Sequence, residues 1–404
     1  MWKNPDYLTA RRLLIDTVTP VGTEHVLLEN SPGRILAEEV RARADVPPFD
    51  RSAYDGYAFR AADVAKAGTD CPVTLQVLGE ISAGAVSTLQ VEPGTAVKIL
   101  TGAPIPPGAD AVIPYEKTQF TTQQVTIATP VIQGGNVVRR GEDVEKGQLL
   151  AQPGIQIDPG LAGTLASQGV THPAVYRLPV IGLISTGNEV VEVGKPLGSS
   201  GIWDANRYTL SAALEKNGCQ SRYLGWSGDA VEGIQQLLEE GLACCDAVLL
   251  TGGVSVGDYD LTPAAMERAG VDVLVRGVAM KPGMACAYGV RKGKLVCGLS
   301  GNPASCITNF YAVVLPALKK LAGWQTFEPE EMPIVLSSGF PKKSPATRFL
   351  RGKLDFSSGV VRMTLPQDQG NVVLSSSIGC NAMAVVPAGS GPIPAETELR
   401  GFLL

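Results

Sequence analysis

Histidine is almost missing from this chain: His25 and His172 are the only two in 404 residues, and neither stands in a metal or catalytic motif. That scarcity argues against Ser-His-Asp and Cys-His relays and against His-ligated metals. Chemistry is left to carboxylates, lysine, arginine and hydroxyls, and any metal should be hard and oxygen-ligated. The eight cysteines include no Cys-x-x-Cys, and only Cys244 and Cys245 are neighbours. Most read as small buried hydrophobes in a reducing compartment, and none as part of a zinc site. There is no basic excess either: the formal net charge is −5 and the hydrophobic fraction 45%, which argues against a nucleic-acid partner. No stretch approaches the roughly 18 apolar residues of a membrane span. The opening Met1-Trp-Lys-Asn-Pro-Asp-Tyr7 has no apolar signal-peptide core. The expectation is a cytoplasmic protein with no membrane and no nucleic-acid partner.

The chain's texture changes along its length. Residues 5–18 read as an amphipathic docking or dimer helix with Leu8, Leu13, Leu14 and Val18 roughly on one face. Between 46 and 140, short Val/Ile/Thr runs alternate with Gly, Pro and Asp turns, the pattern of a small β domain. Residues 1–45 with 141–178 read as a linking and dimerisation part. From 179 to 327, strands alternate with helices, which implies a mostly parallel, doubly wound α/β sheet. In it Asn206 looks like the N-cap of a helix ending near Asn217-Gly218, and a long helix runs from Pro303 to about Ala322 with a kink at Pro316. Residues 328–404 read as a C-terminal β-barrel-like or sandwich domain. Its expected strands are Ile334–Leu336, Arg348–Phe356, Val360–Leu365, Val372–Leu374 and Ala382–Val386.

The richest stretch begins where the apolar run Ala247–Leu250 stops at Thr251. Gly252, Gly253, Ser255, Gly257, Asp258 and Asp260 follow within ten residues. A buried strand ending in such a loop is how an α/β sheet holds a phosphorylated ligand. Glycines let backbone N–H groups approach an anion, and Thr251 and Ser255 add donors. The aspartates would repel that anion unless a divalent cation or a substrate donor stands between them. Other strand ends carry similar loops: Ser185-Thr186-Gly187-Asn188-Glu189, Gly225-Trp-Ser-Gly-Asp229 and Ser300-Gly301-Asn302-Pro303. In the last of these, Asn302 as N-cap and Pro303 at N1 open a helix whose N–H groups attract an anion. Glu189, Asp229 and Asp260 form a carboxylate set able to hold Mg²⁺ against a pyrophosphate. Lys281-Pro-Gly-Met284 places a lysine on a turn, and Arg348 and Arg351 offer guanidinium groups for an oxyanion.

Six segments in order give the chain a further meaning. They are Pro47-Pro-Phe-Asp-Arg-Ser-Ala-Tyr-Asp-Gly-Tyr-Ala58, Thr101-Gly-Ala-Pro-Ile-Pro-Pro-Gly-Ala-Asp110, Arg139-Arg-Gly-Glu-Asp143, Ser185-Thr-Gly-Asn-Glu189, Gly252-Gly-Val-Ser-Val-Gly-Asp-Tyr-Asp260 and Ser300-Gly-Asn-Pro-Ala-Ser305. Together they resemble the MoeA-type molybdopterin molybdenumtransferases, relatives of the gephyrin E domain, over almost the whole chain. The resemblance implies a four-domain protomer and a homodimer. It also implies Mg²⁺-dependent transfer of molybdenum from molybdate to adenylylated molybdopterin with release of AMP, and so an upstream molybdopterin adenylyltransferase. By motif position it implies catalytic roles for Asp55, Thr101, Asp143, Glu189, Asp229, Asp260, Lys281 and Arg351, with Asp229 and Asp260 on Mg²⁺. Thr186, Gly187, Gly252, Gly253, Ser255, Gly257, Ser300, Gly301, Asn302 and Pro303 would line the pterin-nucleotide site.

Three positions depart from the family pattern. Met284 stands where typical members have Lys, Gly277 where many have a second Lys, and Asn371 where many have Ser. Loss of cations weakens a dianion site, so a paralogue that handles pterin nucleotide or another oxyanion such as tungstate is the alternative. A non-enzymatic scaffold is the third reading.

Overall fold

The protein is described by a computed structural model covering residues 1–85, 88–254, 261–357 and 359–404. The chain divides into two compact units. Residues 1–38, 153–162 and 172–404 form one, and 39–152 with 163–171 the other.

The larger unit is built on a seven-stranded sheet. Its elements are β1 (Trp2–Lys3), α1 (Tyr7–Thr17), β2 (Val180–Thr186), α2 (Ala205–Lys216), β3 (Gln220–Ser227), α3 (Val231–Cys244), β4 (Ala247–Thr251), α4 (Leu261–Arg268) and β5 (Asp272–Arg276). After β6 (Met280–Lys281) come β7 (Cys286–Arg291), β8 (Lys294–Leu299) and α5 (Pro303–Asn309). The spatial order is β1-β5-β7-β8-β4-β2-β3. Strands β8, β4, β2 and β3 run parallel, while β7 lies antiparallel to both neighbours. The central strands are apolar without interruption because both faces are covered. On β4, Ala247 and Leu249 enter one core with Leu14, Leu210 and Phe310, whereas Val248 and Leu250 enter another with Ile234, Leu238 and Met266. Helices α1, α2 and α5 thus cover one face and α3 and α4 the other. This is a doubly wound arrangement with an antiparallel hairpin inserted.

The amphipathic helix α1 finds its docking surface on this same chain. Tyr7, Ala10, Leu14 and Ile15 are buried, but Leu8, expected on the apolar face, is 50% exposed. Its N-cap is Asp6, whose carboxylate accepts from Thr9 N at 3.0 Å. The long helix is realised as α5, a π turn over Phe310–Val314, and α6 (Leu315–Leu321). The π turn stands just ahead of Pro316, where the kink was expected. It leaves Pro316 in the first turn of α6, where a missing N–H costs least.

Five strands close a barrel at the C-terminal end of the same unit. In chain order they are β9 (Met332–Leu336), β10 (Thr347–Asp355), β11 (Arg362–Thr364), β12 (Ala382–Val386) and β13 (Glu398–Leu403). Pairing runs β10-β11-β9-β13-β12, and β12 returns to β10. Val372–Leu374, expected as a strand, is irregular, whereas Glu398–Leu403 is a further strand.

The smaller unit carries a six-stranded sheet. Its order is Ala111–Pro114, Gly56–Phe59, Thr95–Ile99, Val73–Ile81, Gln124–Ile127, Thr118–Phe120. Gly56–Phe59, hidden in the Tyr-Asp-Gly-Tyr motif, is buried throughout. A Cβ on Gly56 would stand 2.0 Å from Ile113 O, so only glycine fits that strand crossing.

One ion pair fastens the start of the α/β sheet. Arg177 Nη1 and Nη2 donate to the two Asp246 oxygens at 2.6 and 2.5 Å, and Val180 N donates to Asp246 Oδ2 at 2.8 Å. Burial raises the Asp246 pKa, but the Arg177 and Val180 donors outweigh it, so the carboxyl ends below its ordinary value. A depressed carboxyl contributes stability above its unfolded pKa, near 4, and loses it as pH falls through the folded value. Asp246→Asn should therefore cost about 1–2 kcal/mol at pH 7. In urea titrations the gap to wild type should narrow steadily below about pH 4. A gap independent of pH would show that the carboxylate charge is not what matters.

Candidate active site

Strands β2, β4 and β8 end level with one another, with Ser185 opposite Thr251 and Thr251 opposite Leu299. From β2 the chain leaves towards α2 on one face, and from β4 towards α4 on the other. The crevice where the connections diverge is where such sheets bind ligands. Here it forms a cleft of about 580 Å³, lined among others by Thr186, Glu189, Trp203, Asn206, Gly252 and Asn302.

Local chemistry shapes its floor. Thr186 Oγ1 donates to Thr251 O at 2.9 Å, and Gly252 N donates to Leu299 O at 2.9 Å. Gly252 has φ +97°, and a Cβ there would stand 2.5 Å from Thr186 Oγ1. Gly253 has φ +64°, and a Cβ would meet Thr262 Oγ1 at 2.7 Å. Thr262 Oγ1 in turn donates to Gly252 O at 2.9 Å. Both glycines are thus required by backbone conformation and by close approach. Ser255, Gly257 and Asp260, expected on this loop, lie outside the described residues.

Glu189 and Asp229 are exposed on loops tied to each other. Gly187 N donates to Ser227 O at 3.1 Å, Trp226 Nε1 to Gly187 O at 2.8 Å and Asp229 N to Asn188 Oδ1 at 3.1 Å. Glu189 lines the cleft, while Asp229 sits on the adjoining loop. Among the described residues no group of three or more His, Cys, Asp or Glu forms a ready-made metal cage.

Ser300, Gly301, Asn302 and Pro303 form the mouth of α5. Asn302 is the N-cap but makes no side-chain cap bond; its N–H donates to Ser300 Oγ at 3.2 Å. Ala304 N donates to Asn371 O at 3.1 Å, so the loop after Gln369 rests on this helix start and Asn371 acts there through its backbone.

Asn206 is not the N-cap of α2. Asp204 is, accepting from Arg207 N at 3.1 Å and from Ser185 Oγ. Asn206 instead sends Nδ2 to Gly301 O at 2.8 Å and lines the cleft. With two capping residue types two positions apart only one can cap, and Asp204 takes that place, which leaves the Asn206 side chain to the cleft. Trp203 was also missed. Its indole is 52% exposed at the cleft, and its Nε1 donates to Lys195 O at 3.1 Å.

The Lys281 turn is fixed from two sides. Strand β6 pairs in parallel with β10, Lys281 opposite Arg348. Behind it, the fully buried Asn309 donates from Nδ2 to Gly283 O at 2.9 Å. On β10 the two arginines part ways, as an odd spacing demands. Arg348 serves the barrel, with Nε donating to Ser344 Oγ at 3.0 Å and its guanidinium 5.0 Å from the Phe340 ring centre. Arg351 faces the other way and is only 1% exposed. Its Nη2 donates to Ser376 Oγ at 3.0 Å and more weakly to Gly370 O at 3.5 Å. Its Nε and Nη1 are buried without a partner. Burial lowers its pKa, and Cys380 and Asp368 only partly offset that.

The departures also acquire a physical account. Gly277 has φ +69°, and a Cβ there would stand 2.1 Å from Asn4 Oδ1. Asn4 is itself held by donating its N–H to Arg276 O at 3.0 Å. The N-terminal segment occupies the space a lysine would need. Met284 is 55% exposed, and its carbonyl accepts from Val278 N at 3.0 Å and from Cys286 Sγ at 3.6 Å.

In the smaller unit Asp55 and Thr101 meet. Asp55 Oδ1 accepts from Thr101 N at 2.7 Å and from Thr101 Oγ1 at 2.8 Å. Those two donors lower the Asp55 pKa, with Lys98 adding to the effect. Asp143 sits on a separate exposed loop, its N–H donating to Val46 O at 3.0 Å. The neighbouring Arg139 and Arg140 pair with Asp50 and Asp45.

Known proteins resemble this chain in sequence and in fold. The MoeA N-terminal region (domain I and II) matches residues 6–169, and the domain described as "Probable molybdopterin binding domain" matches residues 182–320. The molybdopterin molybdenumtransferase of Bacillus subtilis is 37% identical over 378 residues, 91% of this chain and 86% of that protein. That of a Staphylococcus aureus strain is 34% identical over 365 residues, 90% of this chain and 87% of that protein. The crystal structure of the molybdopterin biosynthesis MoeA protein from Pyrococcus horikosii superposes with a TM-score of 0.85 at 32% identity, covering 99% of each chain. On this likeness the chain belongs to the family of MoeA-type molybdopterin molybdenumtransferases.

Proposed function

We propose that the protein binds adenylylated molybdopterin and molybdate, places molybdenum on the dithiolene and releases AMP with the help of Mg²⁺. Family membership assigns the chain to molybdenum cofactor biosynthesis. The finer reading rests above all on Arg351. A guanidinium held in the interior with Nε and Nη1 unpartnered carries charge and hydrogen-bond donors to spare for an oxyanion such as molybdate. Lys281, fixed on the strand beside β10, adds charge.

In this reading the glycine turn at Gly252-Gly253 and the α5 mouth take the phosphate-bearing part of the nucleotide, through backbone N–H groups. No Cys or His lines the described cleft, so bond cleavage relies on positioning and electrostatics with water as the attacking group. Mg²⁺ accepts one or two carboxylates together with substrate phosphates, a demand that Glu189 and Asp229 fit, with Asp260 as a third candidate. Bound there, it would neutralise charge on the pyrophosphate. The depressed pKa of Asp55 suits a permanently ionised group better than a proton acceptor. Thr101 holds it so, and Asp143 is assigned to the same reaction by its motif. The reading further takes the protein to be a cytoplasmic homodimer supplied by a molybdopterin adenylyltransferase.

The test is reconstitution. Protein, adenylylated molybdopterin, Mg²⁺ and molybdate together should activate a cofactor-free molybdoenzyme; no activation would overturn the proposal. Tungstate in place of molybdate tests the altered-oxyanion alternative in the same assay. Because the Met284 side chain is exposed, Met284→Lys should fold normally and tighten molybdate binding by roughly tenfold, as an added nearby cation does. Unchanged affinity by calorimetry would place Met284 outside the oxyanion site.

A further inference from the structure

Asn206 is 7% exposed and has one hydrogen-bonding atom to spare. Its amide orientation is fixed, because Gly301 O can only accept and so must face Nδ2, at 2.8 Å. The opposite atom, Oδ1, is buried without a partner in a residue that lines the cleft. A buried acceptor left unmade is costly, and a phosphate or carboxylate cannot satisfy it. Only an N–H or O–H donor can. The same cleft presents the Trp203 indole, whose ring is held by its bond to Lys195 O and offers an apolar face. A flat ring carrying an exocyclic amino group answers both features at once.

Resting on the nucleotide reading of this cleft, we infer that Asn206 is a specificity residue whose Oδ1 accepts a hydrogen bond from the exocyclic amino group of the bound heterocycle. Both heterocycles of an adenylylated pterin carry such a group, so the chemistry is shared and the source is decided by experiment. A site that hydrogen-bonds a ligand amine rejects the oxo analogue, because two acceptors are then forced together.

The test measures binding of two ligand pairs, AMP against IMP and pterin against lumazine, each differing by amino to oxo. Wild type should favour the amino member of one pair by about tenfold or more. Asn206→Ala should reduce that preference to within about twofold. Asn206→Leu, of similar volume and without the acceptor, should reduce it likewise. If neither variant folds, wild type decides alone, since the absence of an amino preference from both pairs contradicts the assignment. Equal weakening of both members of both pairs in both variants would reduce Asn206 to a brace for Gly301 and overturn the inference, leaving the nucleotide reading intact. A wild-type protein that binds none of the four compounds would contradict the nucleotide reading itself, and the inference with it.

Discussion

Arg351→Met should lower molybdate-dependent turnover by about a hundredfold to a thousandfold, the usual cost of removing one preorganised charged or donor group from a reacting site. The same substitution should leave thermal stability unchanged or raise it. The reason is the mismatch between burial and pairing: Arg351 is 1% exposed, yet its Nε and Nη1 have no partner. Such a group costs folding free energy, and an apolar side chain of similar length removes the cost while filling the space. An activity loss with a stability gain is hard to obtain from a residue that merely supports the fold. Ligand linkage gives a second readout. A bound oxyanion at one hundred times its Kd stabilises the folded state by about 2.7 kcal/mol. Molybdate should therefore raise the unfolding temperature of wild type and not of the variant. Full activity in Arg351→Met, or a marked loss of stability, would remove Arg351 from the oxyanion site.

Gly252→Ala should destabilise the protein by on the order of 2–4 kcal/mol, adding the cost of φ +97° for a non-glycine residue to that of a steric clash. The new methyl group would lie 2.5 Å from Thr186 Oγ1 and 2.8 Å from Thr186 O. Relief requires the end of β4 to move away from β2, which breaks the Thr186 bond to Thr251 O. Nucleotide affinity should fall by tenfold or more, since the floor of the cleft moves with it. Gly301→Ala is the control at the neighbouring strand end. A Cβ there meets nothing closer than Gly252 Cα, at 3.7 Å. That variant should be within about 0.5 kcal/mol of wild type or slightly more stable. Urea denaturation of the two variants side by side checks the argument, and similar stabilities for both would refute it.

How far the structure could be read from the chain depended on what each signal needs. Strand β4 was legible because Ala247–Leu250 is buried on both faces and ends at a hydroxyl and two glycines. Gly56–Phe59 was hidden because its turn-like neighbours mask four residues that only close packing against Ile113 explains. Val372–Leu374 has strand composition but no partner, whereas Glu398–Leu403 carries Gly401 at its centre. A Cβ at that position would come within 2.5 Å of Met383 O, so the glycine marks a tight barrel crossing, not a break. In the site, strand-end loops were legible because parallel strands bring their carboxyl ends to one edge. The choice between Arg348 and Arg351 came from the family resemblance alone, since physically it depends on which face of β10 lies inside the barrel. The role of Asn206 was not legible, and followed only once Asp204 was seen to hold the cap. The glycine at position 277 was legible as a missing cation, but its cause, the Asn4 side chain from the other end of the unit's sequence, was not.

The most direct test of the central claim is the molybdate dependence of AMP release. Purified protein is mixed with adenylylated molybdopterin and Mg²⁺, with and without molybdate, and AMP is followed over a single turnover. The account predicts about one AMP released per active site with molybdate, a strong reduction when molybdate is withheld, and little release from Arg351→Met under either condition. AMP release that ignores molybdate, or no release from a protein that binds the nucleotide, would contradict it.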